Sequence, residues 1–288
     1  MASLKEVRAR ISSVTSTSKI TSAMKLVSAA KLRRAQDAIV AFLPYKDKLS
    51  EMLENFVASS TEELSMPLAA QRKAKRVAIV AIASNSSLCG AFNSNIIKRV
   101  QAEISSLQSS VEGIEVYAIG KKISQTFEKM GLTGDANYDN LVDTPDYDKT
   151  GELVDKLVQD FLEKKIDKVL LVYNHFKNTA SQEVRCEQFL PVAAKTGKEE
   201  LHSKDYILEP DANNVIGQLL PRVVRLNMYG AILDSIASEH GARTTAMQIA
   251  TDNALDLLQE LKLSYNKARQ AAITNELIDI VSGSEGQK

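Results

Sequence analysis

Tryptophan is absent from this chain, and cysteine (2), histidine (3), proline (6) and glycine (12) are all scarce among its 288 residues. Each shortage excludes something. Cys89 and Cys186 lie far apart with no C-x-x-C spacing, which removes a disulfide framework and a thiolate zinc site and fits a reducing compartment. His175, His202 and His240 are dispersed, so no ligand cluster or catalytic pairing can be read from them. No run of eighteen apolar residues exists, and a membrane-spanning helix is not expected. Neither G-x-G-x-x-G nor G-x-x-x-x-G-K-[ST] occurs; Gly120-Lys121-Lys122 is only a fragment of such a loop. Acidic residues are scattered without a carboxylate pair. Cys89, at a strand end, is read as a small buried thiol, because no histidine is spaced near it. Residue chemistry alone gives no active site, and no metal or cofactor is expected.

The shortage of helix breakers is concentrated at the two ends. Between Arg222 and Lys288 there is no proline, and the only glycines are Gly230, Gly241, Gly283 and Gly286. Leu233, Ile236, Met247, Ala250, Ala254, Leu257, Leu261, Ala268, Ala271 and Ile278 occupy a series stepping by alternating threes and fours, the seam of a coiled coil. His240 sits on that series and is read as a packed side chain. About 60 helical residues run roughly 90 Å, whereas a compact globule of this chain length measures about 50 Å across. Such a helix must project, and another protein must receive it.

Residues 3–58 contain no glycine and one proline, Pro44. Leu4, Val7, Ile11 and Val14 begin a stripe that resumes out of phase at Ile20, Met24 and Val27, then returns with Leu32, Ala35, Ile39 and Phe42. This predicts a second long helix, kinked or interrupted near Pro44, with a seam that slips once. From Ile11 to Ala30 the only charges are Lys19 and Lys25, and serines and threonines fill the other faces. Small hydroxylated residues suit a surface lying close to another protein without being locked to it; the plainer alternative is a helix end of poor propensity.

The formal net charge is zero, which argues against a general nucleic-acid binder, but residues 1–36 hold eight bases against the single acid Glu6. A basic run of this kind attracts phosphates, lipid headgroups or acidic protein loops. The Arg- and Ser-rich start resembles a transit peptide in composition, yet its apolar pattern continues unbroken into the helix.

Between the ends the period changes. Val77–Ala83 is a continuous apolar run, the mark of a buried parallel strand. Strands over 114–119 and 168–173 alternate with helices near 95–107, 122–129 and 152–164, and 179–191 reads as an antiparallel edge strand. The expected fold is α/β: a long antiparallel coiled coil from the N-terminal (1–58) and C-terminal (211–283) helices, with an inserted Rossmann-like parallel-sheet domain at 76–205 and helices on both its faces.

Several strings resemble the gamma subunit of the F-type ATP synthase. They are Ile11, Lys19-Ile20-Thr21, Ala23-Met24 and Lys31-Leu32-Arg33-Arg34-Ala35 near the start. Near the end they are Ser238-Glu239, Arg243, Ala246-Met247, Thr251-Asp252-Asn253-Ala254, Tyr265 to Ala271, Ile273-Thr274, Glu276-Leu277, Ile280-Val281 and Gly283. Leu88 to Asn93, Asp205-Tyr206 and Glu209-Pro210-Asp211 resemble it in the middle. The resemblance covers the whole chain.

It implies a non-catalytic central-stalk rotor that couples proton-driven c-ring rotation to conformational cycling of the alpha/beta hexamer. The partners implied are the alpha and beta subunits, the epsilon subunit and the c-ring, with membrane contact only through the ring. Met24 and Lys25 match a position facing an acidic beta-subunit loop; Arg243, Gln270, Thr274 and Glu276 match polar contacts to the beta catch loop. Tyr206 and Glu209 match the foot near epsilon and the ring. The family often has Asp-Arg or Asp-Lys before Gly-Leu-Cys-Gly, whereas here the loop is Asn85-Ser86-Ser87-Leu88-Cys89-Gly90, so no role is carried over for it. The dithiol insert of photosynthetic relatives is absent, and thiol-controlled inhibition is not expected. A start at Met1 directly on the family motif implies a bacterial protein, peripheral at the cytoplasmic face of the cell membrane. Two rivals remain: an α/β enzyme with helical arms, marked by nucleotide binding, and a passive coiled-coil scaffold with fixed contacts.

Overall fold

The computed structural model describes residues 4–59, 66–133, 137–192 and 211–285. Two helices dominate it: α1, Leu4–Ser59, and the 74-residue α6, Ala212–Glu285. Asp211 caps α6, its carboxylate accepting from the Asn214 amide at 2.8 Å and satisfying a donor that the helix leaves orphaned. No interruption occurs at Pro44, through which α1 continues. The ring removes the donor that would bond the carbonyl of Val40, but both residues lie on the exposed side, where that carbonyl is not stranded in the core.

Close contacts divide the chain into two units, residues 1–28 with 244–288 and residues 29–243, so both helices contribute to each. The boundaries fall inside the sequence segments 1–58 and 211–283, whereas 76–205 lies whole within the second unit.

In the first unit the two helices lie antiparallel. Thr21 Oγ1 meets Thr251 Oγ1 at 2.8 Å, and Lys25 Nζ donates to Gln248 Oε1 at 2.6 Å. The inward positions of α1 are Leu4, Val7, Ile11, Val14, Ser18, Thr21, Lys25 and Ser28, an unbroken three-four step. Of the residues expected out of phase, Ile20 and Val27 are 59% and 58% exposed and Met24 is half-buried, while Ser18, Thr21 and Ser28 are buried and keep the original phase. Hydroxyl side chains fit an inward position because a helix offers them its own carbonyls; Thr251 donates to Met247 O at 2.7 Å, and Thr21 lies 3.1 Å from Ser18 O. On α6 the inward positions are Met247, Thr251, Ala254, Leu258, Leu261, Tyr265, Ala268 and Ala272. Every second member of the expected series is thus displaced by one residue. Leu258 is 8% exposed, and its neighbour Leu257, expected on the seam, is 44% exposed.

In the second unit a four-stranded sheet has the order β2-β1-β3-β4. Strands β1 (Arg76–Ile82), β2 (Gly113–Ile119) and β3 (Lys168–Phe176) are parallel, and β4 (Gln182–Leu190) pairs antiparallel with β3 at the edge. Central β1 is buried on both faces, which is why its sequence reads as a solid apolar run. Helices α2 (Phe92–Leu107) and α3 (Lys121–Glu128) cover one face, burying Ile96, Val100, Ile123 and Phe127 on Val77, Ile79 and Ala81. The short α4 (Asn140–Asp143) and the amphipathic α5 (Tyr147–Leu162) lie on the other, with the middle of α1 and the first half of α6. There Leu153, Leu157 and Phe161 join Leu32, Leu220, Val224, Met228 and Ile232 over Ala78, Val80 and Leu171. Gly120 ends β2 at φ 108°, where a Cβ would collide with the carbonyl oxygen of Ala83; no other residue fits. Within this unit α1 and α6 also pack closely: a Cβ on Gly230 would stand 3.1 Å from the Phe42 ring, which meets Tyr229 edge-on at 5.3 Å.

Candidate functional site

The residues expected to meet partners fall into unlike environments. In the first unit Met24 is half-buried, and Lys25 is held by Gln248, whose amide in turn donates to both carboxylate oxygens of Asp252 at 2.8 and 2.9 Å. Gln270, Thr274 and Glu276 are exposed, and the Thr274 hydroxyl donates to Gln270 O at 2.9 Å. Gln270 lies just before Ala272, and Thr274 and Glu276 belong to the stretch of α6 past it, where every residue through 282 is exposed. The register of the Thr21–Thr251 pair places Leu4 opposite Ala268, so α1 offers nothing beside that stretch. It nonetheless carries Ile273, Leu277, Ile278, Ile280 and Val281, from 49% to 68% exposed. A contiguous apolar surface on one turn after another marks a protein-binding face.

Arg243 differs from the rest of its expected set. It lies in the second unit, 7% exposed. Nη1 donates to Glu239 Oε1 at 2.6 Å, and Nη2 donates to Ser86 Oγ at 2.7 Å and approaches the carbonyls of Ser86 and Ser87 at 3.5 Å. Its guanidinium is therefore engaged inside its own chain, unlike that of a residue displayed to a partner. Burial pushes the Glu239 carboxyl up, against the pull of Arg243. Burial, then the charges of Arg243 and Lys31, push His240 down to about 4, so it is neutral at pH 7. This is the packed histidine expected on the seam.

The loop after β1, where an open sheet takes a ligand, lines an open hollow of about 620 Å³ with Ser87, Cys89, Gly90, Asn93 and Lys122. Cys89 is 1% exposed; its sulfur accepts from Asn93 Nδ2 at 3.2 Å, and no histidine is among its polar neighbours. A cavity of about 800 Å³ lies between α1, α6 and the β3–β4 side of the sheet, lined by Phe42, Leu43, Tyr173, Phe189 and Val224. At its rim His175 Nδ1 meets Asp234 Oδ2 at 2.6 Å, while Oδ1 of the same carboxylate accepts from the Phe176 amide at 2.8 Å. The pair ties strand to helix. No group of side chains able to hold a metal ion occurs among the described residues, and no described helix is long and apolar enough to cross a membrane. Tyr206, Glu209 and His202 lie outside the described residues.

Sequence reasoning missed Ser86, Asp234 and Arg225. A polar residue inside a helix gives no sign of which strand or loop will meet it, and only Arg243 was singled out.

A family model described as ATP synthase matches residues 3–286. The ATP synthase gamma chain of Phocaeicola vulgatus is 49% identical over 288 residues, and that of Bacteroides fragilis 50% over 289, with 99% of each chain covered in both cases. In fold, the chain is similar to one from the Euglena gracilis mitochondrial ATP synthase OSCP/F1/c-ring structure in rotational state 3. The TM-score is 0.66 at 19% identity, over 99% of this chain and 94% of that one. A chain from the central stalk/c-ring structure of the Tetrahymena thermophila mitochondrial ATP synthase gives 0.58 at 23% identity, over 80% and 99%.

Proposed function

This chain belongs to the ATP synthase gamma-chain family, and from that premise we propose that it is the non-catalytic central-stalk rotor of a bacterial F-type ATP synthase. It turns within a hexamer of alpha and beta subunits, stands with the epsilon subunit on the c-ring, and reaches the cytoplasmic face of the cell membrane only through that ring. Rotation driven by proton flow through the ring carries α6 past each beta subunit in turn and imposes its catalytic states in sequence.

The observation that carries the reading is the exposed apolar surface of α6 past Ala272. Ile273, Leu277, Ile278 and Ile280 cannot stay in water at low cost, and the described residues of the chain supply nothing to cover them. A sleeve formed by other subunits would. The exposed Ser12, Ser13, Ser16 and Thr17 of α1 suit a surface that slides: their hydroxyls are short, uncharged and, at Ser16 and Thr17, already bonded to Ser12 O and Ser13 O at 3.1 Å. The beta contacts we retain are Met24, Lys25, Gln270, Thr274 and Glu276; Arg243 is given a different role below. Tyr206 and Glu209 are retained for the foot on the strength of the family motif alone.

Native mass spectrometry of the tagged chain expressed with its genomic neighbours tests the assignment. Three alpha, three beta and one copy of this chain is the expected stoichiometry, and a symmetric homo-oligomer without them overturns it. Met24→Lys tests the beta contact: an added cation beside an acidic loop should impair ATP synthesis more than assembly. A variant that assembles and makes ATP like its parent would refute that contact.

A further inference from the structure

We propose that Arg243 is a positioning residue for torque transfer, keying the loop after β1 to α6 so that the α/β body and the helix turn as one. This rests on the rotor reading. Apolar packing between a helix and a sheet is non-directional. It resists separation, yet a helix can roll by exchanging one apolar neighbour for another. Directional polar contacts resist rolling, and among the described residues at least four positions of α6 along the second unit make them. Arg225 forks onto Asp155 of α5 at 2.6 to 2.9 Å; Asp234 holds the end of β3; buried Ser238 donates to Asn174 O at 3.0 Å; and Arg243 grips Ser86. Positions 225 to 243 span roughly 27 Å of helix.

Arg243 differs from the other three in two ways. It is the last residue of α6 in the second unit. It also grips a loop tied to several body elements at once. Ser84 N donates to Asn93 Oδ1 of α2 at 3.0 Å, Lys121 N of α3 donates to Asn85 Oδ1 at 2.9 Å, and Asn85 Nδ2 donates to Asp143 Oδ2 of α4 at 2.7 Å. A load applied at Ser86 is thereby shared by the end of β1 and the starts of two helices. Glu239 braces the guanidinium from one turn below, and a planar fork held at both ends is stiffer than a flexible ammonium would be.

The test uses the assembled complex of this chain with alpha and beta, immobilised through beta. A bead is attached to the body through Lys98→Cys, an exposed site on α2. The readout is the variance of the bead angle in stalled complexes. Arg243→Met should widen it by at least about twofold through loss of the charge-assisted contacts. Because that change strands the Glu239 carboxylate, Arg243→Met/Glu239→Gln is measured beside it. Ser86 is exposed, so Ser86→Ala folds irrespective of the buried pair and should give a smaller widening, while Ser86→Asp should narrow the distribution. An unchanged variance in the Arg243 variants, or a lowered melting temperature with unchanged variance, overturns the proposal. A parent complex that hydrolyses ATP without turning the bead overturns the rotor reading itself, whatever the variants do.

Discussion

Leu257 and Leu258 are adjacent, chemically identical and differently placed, so truncating each in turn tests the seam of the first unit. Leu258 is 8% exposed and Leu257 44%. Fully burying a leucine contributes about 1.5–3 kcal/mol, and a two-helix seam collapses more readily around a gap than a deep core. Leu258→Ala should therefore cost about 2 kcal/mol. Leu257→Ala removes a surface side chain and slightly improves helix propensity, so its cost should stay within about 0.5 kcal/mol. Amide hydrogen exchange along 247–261 of the isolated chain reads the difference locally, without requiring the whole molecule to unfold together. About 2 kcal/mol corresponds to roughly 30-fold faster exchange. Equal acceleration by the two substitutions, or a larger effect of Leu257→Ala, would refute the register and restore the series through positions 250, 257, 264 and 271.

Asp167 accepts from the amides of Lys75 and Arg76 at 2.9 and 3.0 Å and forms an ion pair with Arg72, whose Nε stands 3.0 Å away, fixing the start of β1. Asp167→Ala should cost about 3 kcal/mol by denaturant titration, since it leaves the two amides unpaired and removes the counter-charge of Arg72. Burial pushes this carboxyl up, but the two amides and Arg72 outweigh it and hold it below its usual range. Its stabilisation is thus present above about pH 4 and lost as pH falls further, and the variant should lack that part of the acid sensitivity. His240 is neutral when folded and takes a proton near pH 6.5 when unfolded. Its contribution is complete above that pH and declines as pH falls towards 4, by at most about 1.4 kcal/mol per pH unit. Denaturation midpoints at pH 7.5 and 5.0 should fall further in the parent than in His240→Gln.

The sheet was legible because burial on both faces forces β1 into a solid apolar run, and the strand–helix alternation around it leaves few other topologies. The long helices were legible from the absence of breakers. Their register was not. Hydrophobicity scores Ile20 and Val27 above Ser18 and Thr21, and Leu257 equal to Leu258, whereas the structure faces the hydroxyl residues inward. An isolated helix cannot show this, because a serine bonded to its own carbonyl is as compatible with a seam as with solvent. The Arg243 loop contact was illegible for another reason: it joins residues 157 positions apart, and local pattern holds no record of such a pairing. The family resemblance identified Arg243 as special without indicating that it faces inward.

The antiparallel pairing of the first unit also has a history in time. Thr21 finds Thr251 across 230 residues, so the helix made first can be completed only by the helix made last. At ribosomal rates of about 5–20 residues per second, that wait is roughly 12–46 seconds. Through it the start of α1 stands with no mate, a condition in which a seam of leucines would recruit any exposed apolar surface nearby. Ser18, Thr21 and Ser28 make it instead a half-seam that water tolerates, so the residues that weaken the finished pair shield the unfinished chain.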